Sequence, residues 1–228
     1  MSQRFEVSEM AHAYQRRVLF AIELLDAVTL SRVSEGVKLI AEGLTGKPIV
    51  NASGMSVWLK ERLEDDLSKL QKISIDPGYL PYEPRELTRG DVKLPPAVTT
   101  IELQPRVDYS FAPGITGLRG TLIEKRSTPA TPVGGAEVRL QWLDDEQNWR
   151  NAPTTSHTDQ KRGDFVSILR LAPTEVPHLD QGAITVRLRA RRDATTERSS
   201  TDFKLLQGRI NEPSTANKLT FAWDELQA

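Results

Sequence analysis

The chain contains no cysteine among its 228 residues, which excludes several kinds of stabilising or reactive site at once. Disulfide bonds, thiolate metal centres and a cysteine nucleophile all require this residue. The chain is nevertheless long enough to bury a hydrophobic core without such crosslinks. We therefore expect side-chain packing to stabilise the fold.

An excess of charge of either sign is missing as well. The chain has 30 Lys and Arg against 31 Asp and Glu, so no overall field favours nucleic acid or an anionic membrane surface, and we expect neither as a partner. The longest apolar run, Val18 to Ile22, is too short to cross a bilayer. The charged N-terminus lacks a signal-peptide core. We expect cytoplasmic synthesis, with export only in a particle released by lysis.

Histidine is scarce, and no catalytic motif accompanies it. The three histidines are His12, His157 and His178. Ser156, His157 and Asp159 are close enough in sequence to suggest a hydrolytic triad, but no feature supplies an oxyanion hole. The sequence therefore predicts a polar loop here, a protein that is not an enzyme, and no cofactor.

Two acidic runs are candidate calcium ligands, because hard cations prefer clustered oxygen atoms. Residues 144–148 and 64–66 are both acidic, yet neither has the alternating Asp/Asn spacing around a glycine that a calcium loop needs. We predict a solvated turn and a solvated helix face, and no metal site.

Glycine and proline, 14 of each, separate short segments rich in Val, Ile, Leu and Thr, a pattern typical of many short strands. Apolar residues alternate with polar ones over 136–142 and 184–190, which predicts half-buried antiparallel strands. The same test predicts strands at 17–24, 37–42, 98–104, 118–125, 164–171, 199–206 and 217–223. Helical spacing predicts one short helix from the leucines Leu59, Leu63, Leu67 and Leu70, and a second helix or an arm at 3–15.

An internal echo predicts two domains of one type. The segment "RVSEGVKLIAEG" at Arg32, followed by "ASGMSVWLKE", is echoed by "PVGGAEVRLQW" at Pro132, followed by "QKRGDFVSILRL". A proline-bearing stretch at 103–117 suits a domain boundary. We predict an N-terminal arm (1–15), a first domain (16–107) and a second domain (108–228).

The second copy resembles the carboxypeptidase regulatory-like domain, a prealbumin (transthyretin)-like β-sandwich, over residues 117–175. The matching positions are Gly120, Leu122, Pro132, Val133, Gly135, Ala136, Val138, Thr158, Asp159, Gly163, Phe165 and Pro173. The first copy is similar only loosely, through Asp26, Thr29, Val33, Gly36, Val37, Gly54 and Trp58. The resemblance implies an all-β chain of two tandem antiparallel sandwiches, prealbumin-like or immunoglobulin-like, with one or two short helices. It also implies an accessory rather than a catalytic role.

The tripeptide Arg-Gly-Asp, a known adhesion signal, occurs at 89–91 and at 162–164. In the resemblance, Asp159 to Gly163 is a turn in which glycine supplies a backbone conformation that other residues resist. We therefore interpret both tripeptides as turns and not as adhesion signals.

A basic strand face and the tryptophans complete the candidate surfaces. Alternation places Arg187, Arg189 and Arg191 on one face without the aromatic residues that stack on bases, so we expect a solvated outer sheet face or a salt-bridged contact with a protein. Trp58 and Trp142 fit the core, whereas Trp149 is predicted in a loop. Together with Arg150 it is a candidate partner contact.

The sequence favours a non-enzymatic structural protein, a subunit of a larger assembly such as a phage tail or a tail-like contractile injection particle. The expected partners are other protein subunits or further copies of the chain. The alternative is a carbohydrate- or peptide-binding module that uses Trp149 and the acidic turn at 144–146.

Two terminal segments are candidate docking elements. The arm carries the apolar residues Phe5, Val7, Met10 and Tyr14, and such arms order on contact with a partner. The C-terminal segment places Leu219, Phe221 and Trp223 on one face of a predicted edge strand, which can accept a strand from another chain.

Overall fold

The computed structural model describes residues 17–60, 67–212 and 219–227. The predicted arm with Phe5, Val7, Met10 and Tyr14 lies outside the described residues, and so does the acidic run at 64–66. The described residues form strands and three single-turn 3-10 helices, at Leu67–Lys69, Arg89–Asp91 and Trp223–Glu225. The predicted all-β fold is confirmed.

The strands are numbered in chain order and fall into two halves. The first half contains β1 (Arg17–Asp26), β2 (Lys38–Glu42), β3 (Ile49–Val50), β4 (Ser56–Lys60), β5 (Lys72–Asp76), β6 (Arg85–Thr88) and β7 (Thr99–Leu103). The second half contains β8 (Thr116–Ile123), β9 (Glu137–Leu143), β10 (Trp149–Asn151), β11 (Ser156–His157), β12 (Asp164–Leu169), β13 (Leu179–Asp180), β14 (Ala183–Arg191), β15 (Glu197–Ser199), β16 (Phe203–Leu206), β17 (Ile210–Asn211) and β18 (Thr220–Ala222).

Each half packs two sheets face to face around a core of its own. In the first half the sheets are β3-β4-β1-β7 and β2-β5-β6. Between them Phe20 stacks on Trp58 with ring centroids 4.5 Å apart. In the second half a large sheet built on β10-β9-β14-β13 faces a sheet built on β12-β8-β17. Trp142 and Phe165 are buried there, so the core positions predicted for Trp58 and Trp142 are confirmed.

The two halves share one order of strand pairing. β1 pairs antiparallel with β4 and parallel with β7, just as β8 pairs antiparallel with β12 and parallel with β17 and β18. β2 pairs with β5 and β5 with β6, as β9 pairs with β14 and β14 with β16. The echo seen in the sequence therefore corresponds to a repeated architecture. The division into domains at 107/108 stays a prediction.

The halves are packed against each other through the sheet that carries β12. Ile168, on the outer face of β12, packs in the core of the first half together with Tyr109. Two residues further on, the Arg170 guanidinium donates to the Ala27 carbonyl at 2.8 Å and to the Glu102 carboxylate at 3.0 Å. The second half therefore uses the outer face of its smaller sheet to hold the first half.

The leucine spacing that predicted a helix is misleading. Leu59 lies in β4 and Leu67 begins a 3-10 turn, while Leu70 is buried in the first core; Leu63 is outside the described residues. Pairing of β4 with β1 and burial of Trp58 override the helical pattern, since tertiary packing outweighs local propensity. The segment predicted as one strand at 199–206 is interrupted between β15 and β16.

Candidate functional site

A cavity of about 550 Å³ lies where the halves meet, and His157 stands at its wall. Glu83 comes from the loop between β5 and β6, while His157 ends β11. The His157 backbone N–H donates to Glu83 Oε1 at 3.3 Å, and His157 Nδ1 lies 3.2 Å from Glu83 Oε2. Hydrogen bonding to the Glu83 carboxylate raises the pKa of His157. When the imidazole is protonated, it joins the halves by an ion pair with Glu83.

The neighbours of His157 are not arranged as a hydrolytic triad. Ser156 is 2 % exposed and points to the opposite side of β11, because successive residues of a strand alternate. The Asp159 carboxylate accepts the backbone N–H groups of Lys161 at 3.0 Å and Arg162 at 2.8 Å, which lowers its pKa and closes a turn. The Ser156 side chain is therefore directed away from His157, and the Asp159 carboxylate is engaged in its own turn.

The two Arg-Gly-Asp tripeptides are turns, as the sequence predicted. Gly163 has φ of 67°, and the Asp164 carboxylate accepts the Thr121 hydroxyl at 2.7 Å at the start of β12. Arg89–Asp91 is a 3-10 turn in which the Asp91 carboxylate accepts the Thr88 backbone N–H at 2.7 Å. In both tripeptides the aspartate carboxylate has an intramolecular partner.

Trp149 lies in β10 and not in the loop predicted for it, because it pairs with Leu143 at the edge of the large sheet. The Arg187 guanidinium stacks 4.3 Å from the centroid of its ring, and Arg187 Nε donates to the Gln141 side chain at 2.6 Å. The Trp149 side chain is half-buried and remains partly accessible beside Asn151.

The acidic turn beside Trp149 is stabilised by hydrogen bonds within the same hairpin. Asp144 accepts the Asn148 backbone N–H at 2.6 Å and Arg150 Nε at 2.8 Å. Arg150 is thereby held against the hairpin by the carboxylate. Within the described residues, no group of three or more His, Asp or Glu side chains is arranged to hold a metal ion.

The arginine-rich face of β14 is salt-bridged within the chain. Arg189 pairs with Glu197 and Arg191 pairs with Glu137. Both carboxylates stand on strands next to β14. The partners of Arg189 and Arg191 are thus supplied by the same sheet, and a salt-bridged contact of this face with another protein stays a prediction.

The C-terminal segment completes the second half. β18 adds to β8 in parallel at the edge of the smaller sheet, and Phe221 packs 5.5 Å from Phe203 between ring centroids. Leu219 packs against the same core. Trp223 is 7 % exposed and begins a 3-10 turn, so its predicted place on a strand face with Leu219 and Phe221 is wrong. The strand ends at Ala222 because the chain turns there to cover the core with Trp223.

The outer face of the first sheet carries apolar side chains that sequence reasoning missed. We define the outer apolar face as Val18, Ala21, Ile49, Val57 and Leu59, which share one side of β1, β3 and β4 in the observed registers. Val18 is 40 % and Ile49 45 % exposed, Val57 and Leu59 are half-buried, and Ala21 is buried. The available signal was the unbroken apolar run at 18–22, since a strand with only one buried face alternates.

Comparisons of the chain with protein-family models, with curated proteins and with solved structures found no match. The resemblance to the carboxypeptidase regulatory-like domain over residues 117–175 therefore stays a prediction. In the described parts of the chain, no helix is both long and apolar enough to span a membrane.

Proposed function

We propose that this chain is a non-enzymatic interaction subunit of a larger protein assembly, such as a phage tail or a tail-like contractile injection particle. The observation that carries the proposal is the outer apolar face. Solvated sheet faces are normally polar, and contiguous exposed apolar residues mark interaction sites on soluble proteins.

The internal repeat indicates how this face is used. Aligning Gly54 with Gly163, both at positive φ before a strand, places Val57 at the position of Val166 and Leu59 at that of Ile168. Val166 and Ile168 are 1 % and 2 % exposed, and Ile168 packs against the first half. The corresponding positions of β4 are only partly buried. The first half thus repeats this docking face, and no second half covers it among the described residues. We assign that face to another subunit.

The test is cofractionation in the cells that produce the protein. The chain is expected to sediment with a high-molecular-mass particle, and Val57→Arg is expected to move it to the slowly sedimenting fraction because a charge then enters the apolar contact. The matched control is Val176→Arg, at a site that is 56 % exposed in the second half. A wild-type chain that sediments alone would refute the proposal, as would equal behaviour of the two variants.

A carbohydrate- or peptide-binding module is the second candidate, favoured by the partly accessible Trp149 beside Arg187 and Asn151. Aromatic rings with adjacent amide and guanidinium groups suit recognition of polar ligands. Binding on a glycan array that is lost in Trp149→Ala would support it. If Trp149→Ala loses glycan binding but still sediments with the particle, the chain has both a ligand-binding and an assembly role.

A further inference from the structure

Strand β2 lies at the edge of its sheet, whereas its counterpart β9 in the second half has strands on both sides. β2 pairs with β5 on one side, and no other strand of the described residues pairs with it. Its counterpart β9 pairs with β14 on one side and with β10 and β11 on the other. An open edge leaves backbone N–H and C=O groups unpaired and able to accept a further strand.

The five residues of β2, "KLIAE", divide cleanly between two faces. Leu39 and Ala41 are buried in the first core, and Lys38, Ile40 and Glu42 are exposed. Ile40 is 43 % exposed, so the outer face of the strand carries a large apolar side chain between two charged ones. Among the described residues Lys38 has no ion-pair partner, while Glu42 has only a 3.5 Å ion pair with Lys72.

The order of these residues is complementary to itself. When two copies of β2 are aligned antiparallel about Ile40, Lys38 of each copy faces Glu42 of the other, and Leu39 faces Ala41. Opposite charges directly across an antiparallel pair stabilise it. A shift by one residue would turn the core face outward, and a shift by two would separate the charges from their partners. Only the register centred on Ile40 therefore pairs the charges on the outer face and keeps Leu39 and Ala41 on the core face.

We propose that a second copy of this chain binds along β2, in an antiparallel two-fold contact centred on Ile40. The two β2-β5-β6 sheets then join into one continuous sheet, and the two Ile40 side chains cover each other on its outer face. A self-complementary patch of this kind is what a two-fold dimer requires. The contact uses a different sheet from the outer apolar face, so it goes beyond the proposed function and can hold or fail independently of it.

The first test is charge reversal in the full chain, followed by sedimentation equilibrium. The wild type is expected to show twice the chain mass of 25.5 kDa at rising concentration. Lys38→Glu is expected to raise the dissociation constant at least tenfold, and Lys38→Glu combined with Glu42→Lys to restore most of the affinity. The control Lys125→Glu, at an exposed site in the second half, is expected to leave it unchanged.

The second test uses the absence of cysteine in the natural chain. Facing residues in an antiparallel pair have Cα atoms roughly 4.5–5.5 Å apart, within the range that a disulfide bridges. Under mild oxidation Ile40→Cys is therefore expected to yield a covalent dimer. Lys38→Cys is not, because its two copies would lie about 13 Å apart along the strands. A monomeric wild type, a double charge variant as weak as Lys38→Glu, or equal crosslinking of the two cysteine variants would each overturn the proposal.

Discussion

At the scale of single residues, the contact between Asp26 and Tyr109 joins the end of β1 to the segment that leads into the second half. The Tyr109 hydroxyl donates to Asp26 Oδ2 at 2.5 Å, and both residues are buried. Burial raises the pKa of Tyr109, and the hydrogen bond to Asp26 raises it further. The hydroxyl therefore keeps its proton at every physiological pH.

Tyr109→Phe is expected to lower the free energy of unfolding by about 1–3 kcal/mol, because it removes the hydrogen bond from the Tyr109 hydroxyl to the buried Asp26 carboxylate. Urea denaturation measures the change. Tyr79→Phe is the control, since the Tyr79 side chain is fully exposed and its hydroxyl is free to bond to water. Equal stability of Tyr109→Phe and the wild type would contradict this role for Asp26.

The glycines of the two Arg-Gly-Asp tripeptides are expected to respond differently to alanine. A Cβ at Gly163 would lie 2.3 Å from the Leu122 carbonyl oxygen, and its φ is 67°. Gly90 needs no left-handed conformation, and its nearest atom is 3.7 Å away. Gly163→Ala is therefore expected to lower the thermal midpoint, costing at least about 1–2 kcal/mol, with Gly90→Ala close to wild type. Similar thermal midpoints for the two variants would show that the turn at Gly163 does not require glycine.

His157 makes the stability of the chain depend on pH. Its pKa is raised in the folded protein, so the ion pair with Glu83 stabilises the fold fully below the unfolded pKa of His157. The stabilisation disappears as the pH rises through the folded pKa. Because the His157 side chain is 55 % exposed, the effect is expected to stay below about 1 kcal/mol.

Urea titrations between pH 5.5 and 8.5 measure this dependence. His157→Gln is expected to flatten the decline in stability, and His178→Gln to preserve it. An identical decline in His157→Gln and the wild type would show that Glu83 and His157 do not interact in solution.

At the scale of elements, most strands could be predicted and their partners could not. Alternation found β9 and β14 because each buries one apolar face fully and covers the other, more polar face only in part. It could not find β10, β11 or β13, which have two or three residues each and are held by their neighbours in the sheet. Strand pairing joins residues far apart in sequence, and no local pattern encodes it.

The predictions for Trp149 and Trp223 were wrong for the same reason. A period of two placed Trp223 on the strand face with Phe221, but the strand stops after three residues and Trp223 turns into the core. Trp149 follows polar residues typical of a loop, yet it joins the sheet edge through β9. In both cases the neighbouring strand decides the position.

The C-terminal element is expected to be part of the fold. Removing residues 219–227 takes away β18 and the Trp223 and Leu226 side chains, which lie in the second core. We expect the truncated chain to lose the cooperative unfolding transition of the second half, as followed by near-ultraviolet circular dichroism. A truncated chain with wild-type stability would instead make the segment an external docking element.

At the scale of the whole molecule, repetition was the most informative feature of the sequence. The segments that contain Gly36 and Gly135 echo each other in the sequence. In the structure both glycines have positive φ. The candidate contact surface could not be found in this way. The partial exposure of Val57 and Leu59 indicates a contact because the corresponding Val166 and Ile168 are buried, and Ile168 packs in the core of the first half.

The most direct test of the outer apolar face as a subunit contact is site-specific thiol labelling in the natural assembly. Because the chain has no cysteine, Val57→Cys and Val176→Cys each introduce one reactive position. Both are expected to react with a maleimide in the purified chain. In the sedimenting fraction the thiol at position 57 is expected to be protected at least tenfold, while that at position 176 reacts as before. Equal reactivity of the two positions in that fraction would contradict the account.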